Sequence, residues 1–191
     1  MARIRAILNQ GYSIHEDGWT ETLAGVKMLL TLITIMEEKG DSFNAALLLR
    51  HVIISSSYLA EQIFNKSVQQ YIRQSNGSIS QEDINNYSLR KVGISYAMKN
   101  WPEQLTGRSF DFGSGCLQSL KEITNKRNDI VHKLNDNTIF NNPRKIASEV
   151  IYTTIEACKT IEKHFYPESE FSYNEWLKAY PITKADLYKK I

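Results

Sequence analysis

Between the turn residues Gly40-Asp41-Ser42 and Asn76-Gly77 the chain runs without a single glycine or proline. The part from Ala45 to Phe64 is apolar nearly all round, and a helix apolar on every side must be covered on every side. This stretch therefore predicts a long central helix, opening at Phe43 behind Asp41 and Ser42 as caps and stopping at the Asn76-Gly77 turn signal. The other segments have to pack around it. Proline is sparse, 4 in 191 residues, which permits further long helices.

Before the central helix, ETLAGVKMLLTLITIMEEKG reads as one helix closed by Gly40 at a position that favours a left-handed cap. After it, Ser80 with Asp83 opens a third helical region, running unevenly to Asn100 and ending before Pro102. Residues 106–115, TGRSFDFGSG, read as a glycine-rich loop, with Ser114 capping a helix through CLQSLKEITNKRNDIVHKL. Asn142-Pro143 opens another helix, which extends to about Phe165 and ends at Pro167. Ser172 with Glu175 forms a capping box for a short helix around Trp176, and Thr183 caps a last turn. No stretch alternates as a strand would. The expected fold is all-α: one bundle of about five main helices over about 20–165, an irregular segment over 1–18 and a helical extension over 166–191. Its core is expected on Leu47, Leu48, Ile53, Leu59 and Phe64, facing Leu117, Leu120 and Ile123.

Composition narrows the function classes. With 42% hydrophobic and 23% charged residues, the chain is neither disordered nor collagen-like. At this length one domain can bury an adequate core without disulfides or metal. Lys and Arg number 23 against 21 Asp and Glu, a formal charge of +2. Any nucleic-acid contact must then come from a local patch rather than from bulk charge. Cys116 and Cys158 are too few and too far apart for a disulfide framework or a metal site, and fit a reducing cytosol. The opening MARIRAILNQ lacks the apolar run of a signal peptide. The apolar stretch Met28–Met36 is broken by Thr31 and Thr34 and falls short of a membrane span. The expectation is a soluble cytoplasmic protein with no membrane partner.

Most catalytic signatures are missing: no phosphate-binding glycine loop with Lys, no strand-turn-Ser elbow, no His pair with Glu on one helical turn. Gly113-Ser114-Gly115 before a helix is a possible anion cradle, but reads better as a flexible loop with Ser114 as N-cap. His15 and His164 read as solvated histidines. No carboxylate cluster suggests a metal, so neither metal nor cofactor is expected, and metal-dependent DNA hydrolysis is disfavoured.

One run stands apart, Lys126-Arg127-Asn128-Asp129-Ile130-Val131-His132-Lys133. On a helix from Leu117, the apolar positions Leu117, Leu120, Ile123, Ile130, Val131 and Leu134 make one stripe, and Arg127 falls near its centre. A permanent charge there is costly unless it is paired or placed at an interface. Glu122 and Glu149 are candidate structural partners. Asn128 and His132, four residues apart, share one flank. Arg127 and His132, five apart, sit about 140° around an ideal helix, so the long Arg arm or a local distortion must close the gap.

The order Arg, polar residue, three further residues, His, late in a long helix of an all-α bundle, resembles the signature of the HEPN superfamily. Arg127, Asn128 and His132 match its three positions, and the resemblance spans roughly residues 20–165. Leu47-Leu48-Leu49-Arg50-His51 loosely resembles a basic position of many members. The resemblance implies a metal-independent endoribonuclease acting as a homodimer, with Arg127, Asn128 and His132 catalytic. Lys126, Lys133, Arg50 and His51 are the basic residues expected to bind the RNA substrate. Many such proteins are toxins or antiphage-defence effectors that cut tRNA, mRNA or rRNA, so an antitoxin or defence-system partner is a further expectation. Relatives silenced by a nucleotidyltransferase carry Tyr two residues after the motif His; here that position is Leu134. The alternative is a catalytically inactive HEPN-like module for dimerisation or for RNA or nucleotide binding, and a third reading is a plain helical interaction protein.

Overall fold

The computed structural model describes residues 17–77, 80–89, 92–132 and 141–167, and the fold is all-α. Its described elements are α1 (Asp17–Glu38), α2 (Ser42–Asn76), the short α3 (Gln81–Asn86), α4 (Ile94–Thr106), α5 (Gly115–His132) and α6 (Pro143–Phe165). The expected C-terminal helices at 172–183, His15, Lys133 and Leu134 lie outside the described residues.

Local chemistry sets most of the ends. Gly40 at φ +75° lets the backbone close α1 with two bonds, Gly40 N–H to Glu37 at 3.0 Å and Asp41 N–H to Met36 at 2.8 Å, the paired pattern of a Schellman stop. Asp41 then accepts from the Asn44 amide at 3.1 Å and starts α2. Gly77 ends α2 in the left-handed region. Ser80 and Asp83 make the reciprocal capping box of α3.

α2, about 52 Å long at 1.5 Å per residue, packs against α1, α4, α5 and α6. Leu49, Val52, Ile53, Leu59 and Phe64 are sealed in the core, with Leu117, Leu120 and Ile123 of α5 and Ile151, Ile155 and Ile161 of α6. Cross-contacts fix the directions. Thr22 donates to Gln62 at 3.1 Å, so α1 runs antiparallel to α2. Glu37 at the end of α1 accepts from the Arg144 amide at 3.1 Å, while Tyr166 donates to the Ser67 carbonyl at 3.1 Å. α6 therefore runs parallel to α2. Cys116 lies 3.2 Å from Thr160, so α5 returns antiparallel to α6.

Several expectations give way to packing. The third helical region is split into α3 and α4, and Pro102 sits inside α4 rather than beyond its end. An interior proline costs about 3 kcal/mol. Here it is offset by burial of Trp101 and Pro102 itself, by the Phe64–Trp101 stack at 5.9 Å, and by Thr106 donating to the Pro102 carbonyl at 2.7 Å. Leu47 is 38% exposed and Leu48 only partly buried, while Leu49 takes the core position. Ser114 turns its hydroxyl to Asp111 at 3.0 Å. Asn142 occupies the N-cap of α6 without a side-chain bond, and Glu37 supplies the acceptor instead. Among the described residues, α2 rather than Met28–Met36 is the helix long and apolar enough by composition to cross a membrane; its many buried positions are those of a core helix.

Candidate functional site

The last two turns of α5 carry the motif. Three core residues, Leu117, Leu120 and Ile123, bury one face of this helix, and Arg127 follows Ile123 by four residues on that face. The result is a half-buried arginine. Its Nη1 donates to the Asn128 side-chain oxygen at 3.0 Å. That bond orients both groups and leaves the rest of the guanidinium fork for other acceptors.

The carboxylate that feels the Arg127 charge is Glu61 of α2, a half-buried residue. Desolvation pushes the Glu61 carboxyl above its ordinary range, and the Arg127 charge opposes that rise. Glu122 and Glu149, the partners expected from α5 and α6, are both exposed. Sequence reasoning missed Glu61 because the pairing joins residues far apart in the chain. The available signal was a Glu at the edge of an otherwise apolar segment of α2.

His132 is the last residue of α5 and is exposed, on the flank it shares with half-buried Asn128. The helix is continuous through residues 127–132, so Arg127 and His132 keep the wide angular separation of an ideal helix. Ile130 packs partly on the core, whereas Val131, expected in the apolar stripe, is 49% exposed. Lys126 is exposed. Arg50 is half-buried and His51 exposed, both about 16 Å along α2 from Glu61 at 1.5 Å per residue.

His164 corrects the solvated reading. Its Nε2 lies 2.9 Å from the Thr106 hydroxyl, its carbonyl accepts from Arg108 at 2.9 Å, and its ring meets Phe110 edge-on at 4.7 Å. Desolvation, and then the Arg108 charge, hold its pKa below the usual imidazole range. The contacts span more than fifty residues of sequence, so no local pattern announces them. Among the described residues, no three His, Cys, Asp or Glu side chains come together as a metal-binding group.

Compared with known proteins, the chain matches no family model, no curated protein and no solved structure.

Proposed function

We propose that this chain is an endoribonuclease of the HEPN type, cytoplasmic and acting as a homodimer in a toxin or antiphage-defence role. The observation that carries the reading is a half-buried Arg127, held by Asn128, in the same two turns of helix as an exposed His132. RNA needs no metal to be cut, because its own 2′-OH is the nucleophile once a base takes its proton and an acid protonates the leaving 5′ oxygen. Histidine performs either step near neutral pH. A guanidinium stabilises the extra charge of the pentacoordinate transition state through paired hydrogen bonds. In this scheme His132 is the acid or base, Arg127 the phosphate ligand and Asn128 the group that orients it. Exposed Lys126 and His51, with Arg50, supply further contacts to the RNA backbone.

One chain offers one motif histidine, and acid-base chemistry needs a second. A two-fold contact between copies of α5 supplies it. The exposed Val131 beside His132 supports such a contact, since an apolar residue next to a charged motif gains from being covered. The test is an RNA with one 2′-deoxy nucleotide at the cut site. That substrate should be inert, while all-ribo RNA yields a 2′,3′-cyclic phosphate end. Equal cleavage of both substrates rejects 2′-OH attack, and no cleavage of either leaves the chain as an inactive module of the same fold.

A further inference from the structure

At the far end of α6 lies a carboxylic acid that the proposed chemistry does not use. Glu162 is only 3% exposed, and its Oε1 is buried with no hydrogen-bond partner. A carboxylate left in that state is costly, whereas a protonated carboxyl is not. The groups facing it are Lys66 from α2, Cys158 from the preceding turn of α6 and Tyr166 just past the helix end, with Tyr71 of α2 beside Tyr166. Cys116 of α5 stands next to Cys158. Of these groups, Lys66 alone brings a permanent opposite charge, and it only partly offsets the desolvation that pushes Glu162 up to about 7.

The turn that carries Glu162 also fastens several parts of the fold together. Tyr166 donates to the Ser67 carbonyl on α2. His164 contacts Thr106 and accepts from Arg108, which ties down the loop over residues 107–114. Phe165 packs on Phe64 at 6.2 Å, Tyr71 at 5.8 Å and Phe110 at 6.2 Å. Whatever loosens residues 162–166 therefore loosens that loop as well.

We propose that the last turn of α6 is a proton-operated latch, docked firmly on α2 while the buried Glu162 carries its proton and held less firmly once Glu162 ionises beside Lys66. An opened turn gives the carboxylate water, so ionisation favours opening. With values of about 4.5 for an exposed Glu and about 7 in the closed turn, Glu162 by itself raises the opening equilibrium about tenfold between pH 6.0 and pH 8.5. His164 in the same turn, held below its ordinary range while closed, works in the opposite sense at the acid end of that range, so the reference is Glu162→Gln at each pH.

Amide hydrogen exchange of the full chain at those two pH values tests this, with rates corrected for intrinsic exchange and the middle of α2 as internal reference. Relative to Glu162→Gln at the same pH, which leaves only the His164 contribution, residues 162–166 and 107–112 of the wild type should lose about tenfold in protection between pH 6.0 and pH 8.5. Lys66→Gln, which keeps the acid and removes its counter-charge, should move the transition to higher pH. A Glu162→Gln protein that keeps the wild-type pH dependence overturns the latch, as does, should that variant not fold, a Lys66→Gln protein with an unmoved midpoint.

Discussion

Replacing Arg127 by methionine asks whether its charge is kept for folding or for chemistry. The residue lies on the core-facing side of α5 between Ile123, which is buried, and Ile130, which packs partly on the core. An unbranched apolar side chain should fill that place with little packing loss. What the fold loses is the positive charge beside Glu61, a carboxylate already raised by desolvation. Breaking a fully buried pair costs about 3–5 kcal/mol, whereas exposed pairs contribute about 0–1 kcal/mol. Both residues are half-buried, so solvent screening places the expected loss at roughly 1 kcal/mol. For a chain of this length that is a drop in Tm of about 2–4 °C. Adding Glu61→Gln removes the orphaned carboxylate and should return most of the stability. Activity should follow another course, with Arg127→Met and the double variant each losing about 10²–10³-fold in cleavage rate. Far-UV melting curves and RNA cleavage on the wild type, both single variants and the double variant complete the cycle. Additive destabilisation would show that Glu61 is not what Arg127 balances. Wild-type cleavage by Arg127→Met would show that the guanidinium does not hold the phosphate.

Two further outcomes follow from the fold. Glu37→Ala removes the acceptor that caps α6 through the Arg144 amide, and should lower the urea-unfolding free energy by about 1 kcal/mol, the typical value of an N-cap; an unchanged midpoint would mean that the bond contributes nothing. Because the folded-state pKa of Glu162 is raised to about 7 from 4.5, its contribution to stability is present below about pH 4.5 and is lost as pH rises to about 7. That loss amounts to about 3 kcal/mol, and Glu162→Gln should remove it from a pH series of urea titrations.

Sequence carried the fold where the deciding chemistry is local. Gly40, Asp41, and Ser80 with Asp83 each fix a helix end through bonds to residues within five positions, while Gly77 and Pro143 act through their own backbone preferences, so these signals alone placed ends of α1, α2, α3 and α6. Pro102 failed by the same logic: it reads locally as a stop, and only its burial with Trp101 beside Phe64 keeps α4 going. In α2 the apolar run has no preferred face, so periodicity did not tell that Leu49 points inward while Leu47 points out. The site divides similarly. Arg127 as an intruder on an apolar face, and Asn128 with His132 on one flank, were legible from helical spacing. Glu61 behind Arg127, Thr106 against His164 and Lys66 against Glu162 were not, because each joins separate helices. Glu162 in particular sits in a stretch with Glu156, Lys159 and Lys163 that reads as a solvated face.

The most direct test of the account is cleavage of RNA in EDTA by the wild type and by His132→Ala. His132 is exposed at the end of α5, so its truncation should leave the fold intact. Removing a general acid-base group costs about 10²–10⁴ in rate. The account predicts EDTA-resistant cleavage by the wild type and a loss of that size in a folded, dimeric His132→Ala protein. A folded, dimeric His132→Ala protein that cuts RNA at the wild-type rate would contradict it.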